Sequence, residues 1–449
     1  MASRAPRTGP QPKGCIVRAL GFYALFLLFP ALLWIVGGLA LGSWRVRQEL
    51  QAWADTGTSM DALRARHPTA PDSEAAVGLD HLTRPLGIHL IRGPAESPPA
   101  DEHGWYDATT QYMKELGSAS SDRAGPPPAE LQSFLRRHRA ALGTVADYLT
   151  ATPGISWETD IDAGIEGPIP SLLAHRQLQL ALLAEALERN RRRDHRGARH
   201  FLEAAHRHLE TLARRPEIIS CLIALIMAGD QQAVLRIIPN VGEEWESRLA
   251  ERRLDRSVPD TLQAEAYGWL VLAREYRGAA DLEGRPPTSP FSGHPGEWLV
   301  RFASAPYIRL CTANMSRQLR LTRTLTSEGN LCELDLDAIE KRVVGGIPRW
   351  DFITKVSLPS LTHAAAPGLE LQLDAERTRR VLEARRRRRQ QGDWGAGDGV
   401  PSRLCPDVVW RYRRERDGRL TILPEPEPHV VPDSPRQWAF TVSPASYRR

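Results

Sequence analysis

Residues 19–42, ALGFYALFLLFPALLWIVGGLALG, run for 24 positions without a charged side chain. At about 1.5 Å per helical residue, roughly 20 apolar residues cross the hydrocarbon of a bilayer. Little else in the chain restricts its fold so strongly. Pro30 is tolerable inside such a helix, and Trp44 sits at its outer edge as an interfacial anchor. The run exceeds the usual 7–15-residue core of a cleaved signal peptide, so ALG at 40–42 reads as helix and not as a cleavage site.

Charge is distributed to match. Residues 1–47 hold Arg4, Arg7, Lys13, Arg18, Arg45 and Arg47 and no acid. Of the 59 basic residues, 53 remain after these six, against 54 acidic ones, so the formal +5 belongs to the flanks of the apolar run. The positive-inside bias then predicts a cytoplasmic tail at 1–18, a transmembrane helix at 19–42 and an extracytoplasmic remainder, in a single-pass inner-membrane protein. A near-neutral body is not expected to bind nucleic acid.

The body reads as mainly α. Helical periodicity is expected over 43–66, 130–150, 171–193, 197–214, 216–238, 243–254, 259–278 and 299–326. Short connections make neighbours antiparallel. Gly, Pro and Ser mark connections at 91–104, 117–128 and 284–298. The stretch PEIISCLIALIMAGD (216–230) has twelve uncharged residues, about 18 Å of helix, too short to cross a bilayer. Extending it buries Asp230 and Arg236, so it reads as the central helix of a soluble core. After a helical domain at 43–330, residues 331–449 read as a smaller α+β region. It contains a short helix at 335–343, a mixed stretch at 347–361, an arginine-dense helix at 369–391 and a hairpin turning at Asp417-Gly418, with an edge strand at WAFTV.

Chemical motifs are few. GxxxxGK[ST], GxSxG and HExxH are absent, and WGAGDG (394–399) reads as a loop, so no cofactor or metal is expected. TPGISWETDIDAGIEGPIP (152–170) is a long loop whose Glu158, Asp160, Asp162 and Glu166 form a fragment of a calcium loop. These four are the candidates for ligand or cation contact, or for a hydrolase site, although a solvated acidic loop is the plainer reading. His195, His200, His206 and His208 have spacings that scatter them around a helix, and they read as exposed. EARRRRRQQ (383–391) reads as a solvated helix end. In an oxidising compartment Cys221, Cys311, Cys332 and Cys405 allow three pairings. Cys311 with Cys332 is the expected disulfide, and Cys221 is expected as a buried thiol.

Several stretches carry a resemblance: PDSEAAVGLDHLTRPLGI (71–88), PPPAELQSFLRRHRAAL (126–142), HRQLQLALLAEALE (175–188), RRPEIISCLIALIMAGDQQAVLRIIP (214–239) and LELQLDAERTRRVLEARRRRRQQGDW (369–394). The chain resembles an uncharacterised group of bacterial membrane-anchored, mostly helical proteins. That resemblance transfers no activity. The expected role is a non-catalytic envelope scaffold with a protein partner and lipid around 19–42. An extracytoplasmic hydrolase or an accessory of a secretion system is the alternative.

Overall fold

Helix α1 (Lys13–Asp55) contains the apolar run and continues past it without a break. The computed structural model describes residues 13–56, 59–91, 104–252, 254–275, 295–327, 332, 334–363, 365–394, 399–428 and 438–444. Most of the connections expected at 91–104 and 284–298, and Gly395–Asp398 of WGAGDG, lie outside them. Phe29, Leu32, Leu33 and Val36 of α1 are between 60 and 65% exposed. This helix is long and apolar enough to cross a membrane.

The following helices are α2 (Met60–Arg66), α3 (Glu74–Thr83), α4 (Gly104–Ser118), α5 (Ala129–Ala151), α6 (Leu172–Arg191), α7 (His195–Ala213), α8 (Ile218–Ile237), α9 (Glu244–Glu251), α10 (Leu254–Glu275) and α11 (Pro295–Ser327). Caps fit the sequence: Ser59, Ser73 and Asp194 each accept a hydrogen bond from a first-turn amide. α8 is the second segment apolar enough to span, but 67% of it is buried. It touches α4, α6, α7 and α10, with Leu225, Met227, Val234 and Leu235 in the core.

α1 and α11 run parallel. Gly38 lies against Pro306 and Gly42 against Arg309; an added Cβ would sit 2.6 Å and 2.8 Å from theirs. Further along, Arg45 donates to Asn314 at 3.4 Å and Arg320 pairs with Glu49 at 3.1 Å. Two glycines four apart let the backbones approach this closely.

The C-terminal part contains α12 (Leu336–Gly345), α13 (Phe352–His363), α14 (Ala365–Gln391) and strands β1 (Val400–Pro401), β2 (Val409–Arg414), β3 (Leu420–Glu425) and β4 (Phe440–Val442). The strands form one antiparallel sheet in sequence order. The hairpin turns at Gly418, whose φ of 81° suits glycine. Trp410, Ile422 and Phe440 face inward, while Arg411 and Arg413 face out. The mixed stretch 347–361 is largely α13. α14 lies against α8, α9 and α10.

Two expectations are corrected here. Cys332 bonds Cys405, with Cα atoms 5.4 Å apart, and Cys311 is a buried free thiol. α11 is continuous to Ser327, which places Cys311 sixteen residues, about 24 Å, before its end. There its thiol is buried and engaged by Asp351 and Tyr307. The arginines of α14 are also not all solvated: Arg377, Arg379, Arg380 and Arg385 are buried. Arg385 donates to the carbonyls of Leu235 (3.3 Å), Ile238 (3.0 Å) and Arg236, and pairs with Asp122 at 3.3 Å. Arg389 reaches the Pro239 carbonyl at 3.0 Å. These carbonyls end α8, where intrahelical donors run out and the helix dipole is negative. A count of helix faces misses this, because the acceptors come from a distant helix.

Candidate functional site

The acidic loop is a strap fastened at both ends. Ala70 and Thr159 exchange two backbone hydrogen bonds of 2.9 Å, and the Glu158 amide donates to Asp72 at 2.8 Å. Arg215, buried after α7, donates to the Glu158 carbonyl at 2.8 Å and the Pro168 carbonyl at 2.9 Å while pairing with Glu217 at 2.7 Å.

The described acids, Glu158, Asp160 and Asp162, take different partners. Asp160 caps the 3-10 turn Ile161–Glu166, accepting from the amides of Asp162 (3.1 Å) and Ala163 (3.2 Å) and from Thr69 (3.2 Å). Asp162 accepts from Arg64 at 2.8 Å and from the Tyr267 hydroxyl at 2.7 Å. Glu158 is exposed beside a hollow of about 240 Å³ with Asp72, Pro168 and Pro170. The Glu166 side chain lies outside the described residues. Among the described residues, no three His, Cys, Asp or Glu side chains gather as a metal site.

Beneath the strap is a buried polar cluster. The Trp157 ring stands edge-on to His175, centroids 4.5 Å apart, and its indole N–H donates to Thr211 at 3.0 Å. His175 Nδ1 and His208 Nε2 share a hydrogen bond of 3.0 Å, and His208 Nδ1 lies 3.3 Å from Gln179 Oε1. Both imidazoles are fully buried, against the expectation that His208 is exposed. Burial holds His208 down at about 3 and His175 well below its ordinary value. The spacing of the four α7 histidines does not disclose this, because the partner is on α6. His175 and Gln179, four apart on one face of α6, are the available signal.

A wider cleft of about 430 Å³ opens where the strap leaves α5, lined by Pro153, Glu203, His206, Arg207, Glu210 and Arg248, among others. Glu203 accepts from Arg248 at 2.5 Å and Arg207 at 2.9 Å, and Arg252 pairs with Glu210 at 3.0 Å. His206 stands edge-on to Trp245 at 5.3 Å, a half-buried position instead of an exposed one. Burial and then the nearby Arg252 hold its imidazole at about 4. His200, by contrast, sits at the surface and meets Asp147 at 2.8 Å.

Chemically, Glu203, Arg207, Glu210 and Arg248 of the cleft are charges of both signs that are already paired. The thiols of Cys221 and Cys311 are both pushed up to about 12, first by burial, which leaves them protonated and poorly nucleophilic. Asp230 in α8 is pushed up to about 7 by burial, opposed by Arg176. From the sequence alone, Asp230 is only a charge that argues against a span. No family model, curated protein or solved structure matches the chain.

Proposed function

We propose that the chain is a single-pass membrane protein whose helical body stands outside the cytoplasm and binds a protein partner without catalysing a reaction. The observation that carries this reading is the bare apolar face of α1 from Phe29 to Val36, on the same helix that joins the body at Gly38 and Gly42. Lipid covers that face, and the four basic residues before it keep the amino terminus inside. A Cys332–Cys405 disulfide is what an oxidising exterior favours. Kinship with bacterial membrane-anchored helical proteins belongs to the same proposal. The cleft along α7 and α9 supplies the partner surface, because paired charges of both signs suit a polar protein rim better than a small substrate.

Photocrosslinking in native membranes from a reactive residue at Arg214, on the exposed rim of the cleft, tests this. One discrete protein adduct, lost on Arg207→Glu with the chain still folded, is expected. An adduct that survives Arg207→Glu, or none at all, contradicts the cleft as the partner surface.

A further inference from the structure

Trp350, Phe352 and Val356 are 46, 70 and 59% exposed, a cluster of large apolar side chains at the start of α13. A soluble surface seldom leaves such a cluster bare without a purpose. Their placement is rigid. Asp351, between the two aromatics, is fully buried and accepts from Asn314 (2.9 Å), the Thr354 hydroxyl (2.7 Å) and the Thr354 amide (3.0 Å). Thr354 in turn holds its hydroxyl 3.2 Å from the Cys311 carbonyl of α11. With Asp351 locked inward, Trp350 and Phe352 are turned outward.

Their height along α1 follows from α11. The Phe352 amide donates to the Tyr307 hydroxyl at 3.2 Å, and the rings of Tyr307 and Trp350 lie 6.1 Å apart. Tyr307 follows Pro306, which abuts Gly38. Gly38 is four residues, about 6 Å, inside the end of the apolar run at Gly42. The headgroup region on each side of the hydrocarbon is itself about 5–8 Å thick. Tyr307, Trp350 and Phe352 therefore stand level with one membrane boundary, where aromatic side chains concentrate. Arg349, exposed one residue before Trp350, suits lipid phosphate.

We infer, resting on the reading of α1 as a span, that Trp350, Phe352 and Val356 enter the headgroup–acyl boundary of a phospholipid bilayer as a second membrane contact of the body. The body is then held at two points and keeps a fixed tilt on the membrane, which a single helix does not enforce.

The test places the photoreactive residue p-benzoylphenylalanine singly at Phe352, at Leu33 and at Arg192 in the full chain. The chain is irradiated in phosphatidylglycerol–phosphatidylethanolamine vesicles and in native membranes, and adducts are read by mass. Phospholipid adducts at 352 and 33, with none at 192, are expected. Lipid at 33 but none at 352 overturns the second contact and leaves the span intact. A protein adduct at 352 in native membranes, without lipid in either, assigns the patch to a protein and overturns the inference. No lipid at 33 removes the span, and the second contact with it.

Discussion

Arg236 of α8 and Asp374 of α14, 138 residues apart, meet at 2.8 Å with side chains only 1% and 3% exposed. Thr378 shares the same guanidinium at 2.8 Å, and Arg377 pairs with the second oxygen of Asp374. A buried ion pair costs much to desolvate, and removing one partner strands the other. Asp374→Ala or Arg236→Ala is therefore expected to destabilise the body by about 3–5 kcal/mol, read as a lower urea midpoint of the chain in detergent. The apolar set Arg236→Met, Asp374→Leu and Arg377→Met leaves no member of the cluster stranded and recovers most of that loss. Equal loss in the single variants and the triple variant contradicts the account.

The Cys332–Cys405 bond closes a loop of 73 residues. Chain entropy assigns such a loop about 4 kcal/mol. Cys405→Ser is expected to lower stability by that order, and Cys311→Ser to leave the crosslink unchanged. Peptide mapping without reductant checks the pairing. A peptide joining 311 to 332 refutes it.

The His175–His208 pair makes stability depend on pH. Both groups bind protons less readily folded than unfolded, where histidine titrates near 6.5. Below that value the unfolded chain takes up protons that the folded one refuses, so stability falls with pH, by about 1.4 kcal/mol per unit for each histidine. The window runs from about 6.5 down to about 3, the folded value of His208. Denaturation midpoints at pH 7, 6 and 5 should fall progressively, and His208→Gln should flatten the trend. An unchanged slope in that variant refutes the pair as its source.

Leu225, buried at the centre of α8, is expected not to tolerate aspartate. The lost packing and the stranded carboxylate together exceed about 4 kcal/mol. Cys221→Ser on the same helix is expected to be tolerated, since Thr261 already offers the thiol a polar partner. Limited proteolysis distinguishes them, and a protease-resistant Leu225→Asp chain contradicts the placement of α8.

Helices whose partners are close in sequence were legible, and so was the hairpin at Asp417-Gly418. The apolar run of α8 announced its burial, because Asp230 and Arg236 sit too near it for a span. The arginines of α14 were not legible, since what they meet is the carbonyl end of α8, about 150 residues earlier. Within the acidic loop, residue types were legible and their use was not. Asp160 and Asp162 are engaged by Thr69, Arg64 and Tyr267, from segments that only the fold brings together. The His175–His208 contact was hidden for the same reason, as its halves lie on different helices.

What is proposed for the body follows from the side of the membrane on which it stands. Alkaline phosphatase fused after Arg449 measures it directly, since that enzyme is active only outside the cytoplasm. An active phosphatase fusion, together with an inactive cytoplasmic reporter at the same position, is the predicted result. An inactive phosphatase with an active cytoplasmic reporter would place the body inside the cell and contradict the account.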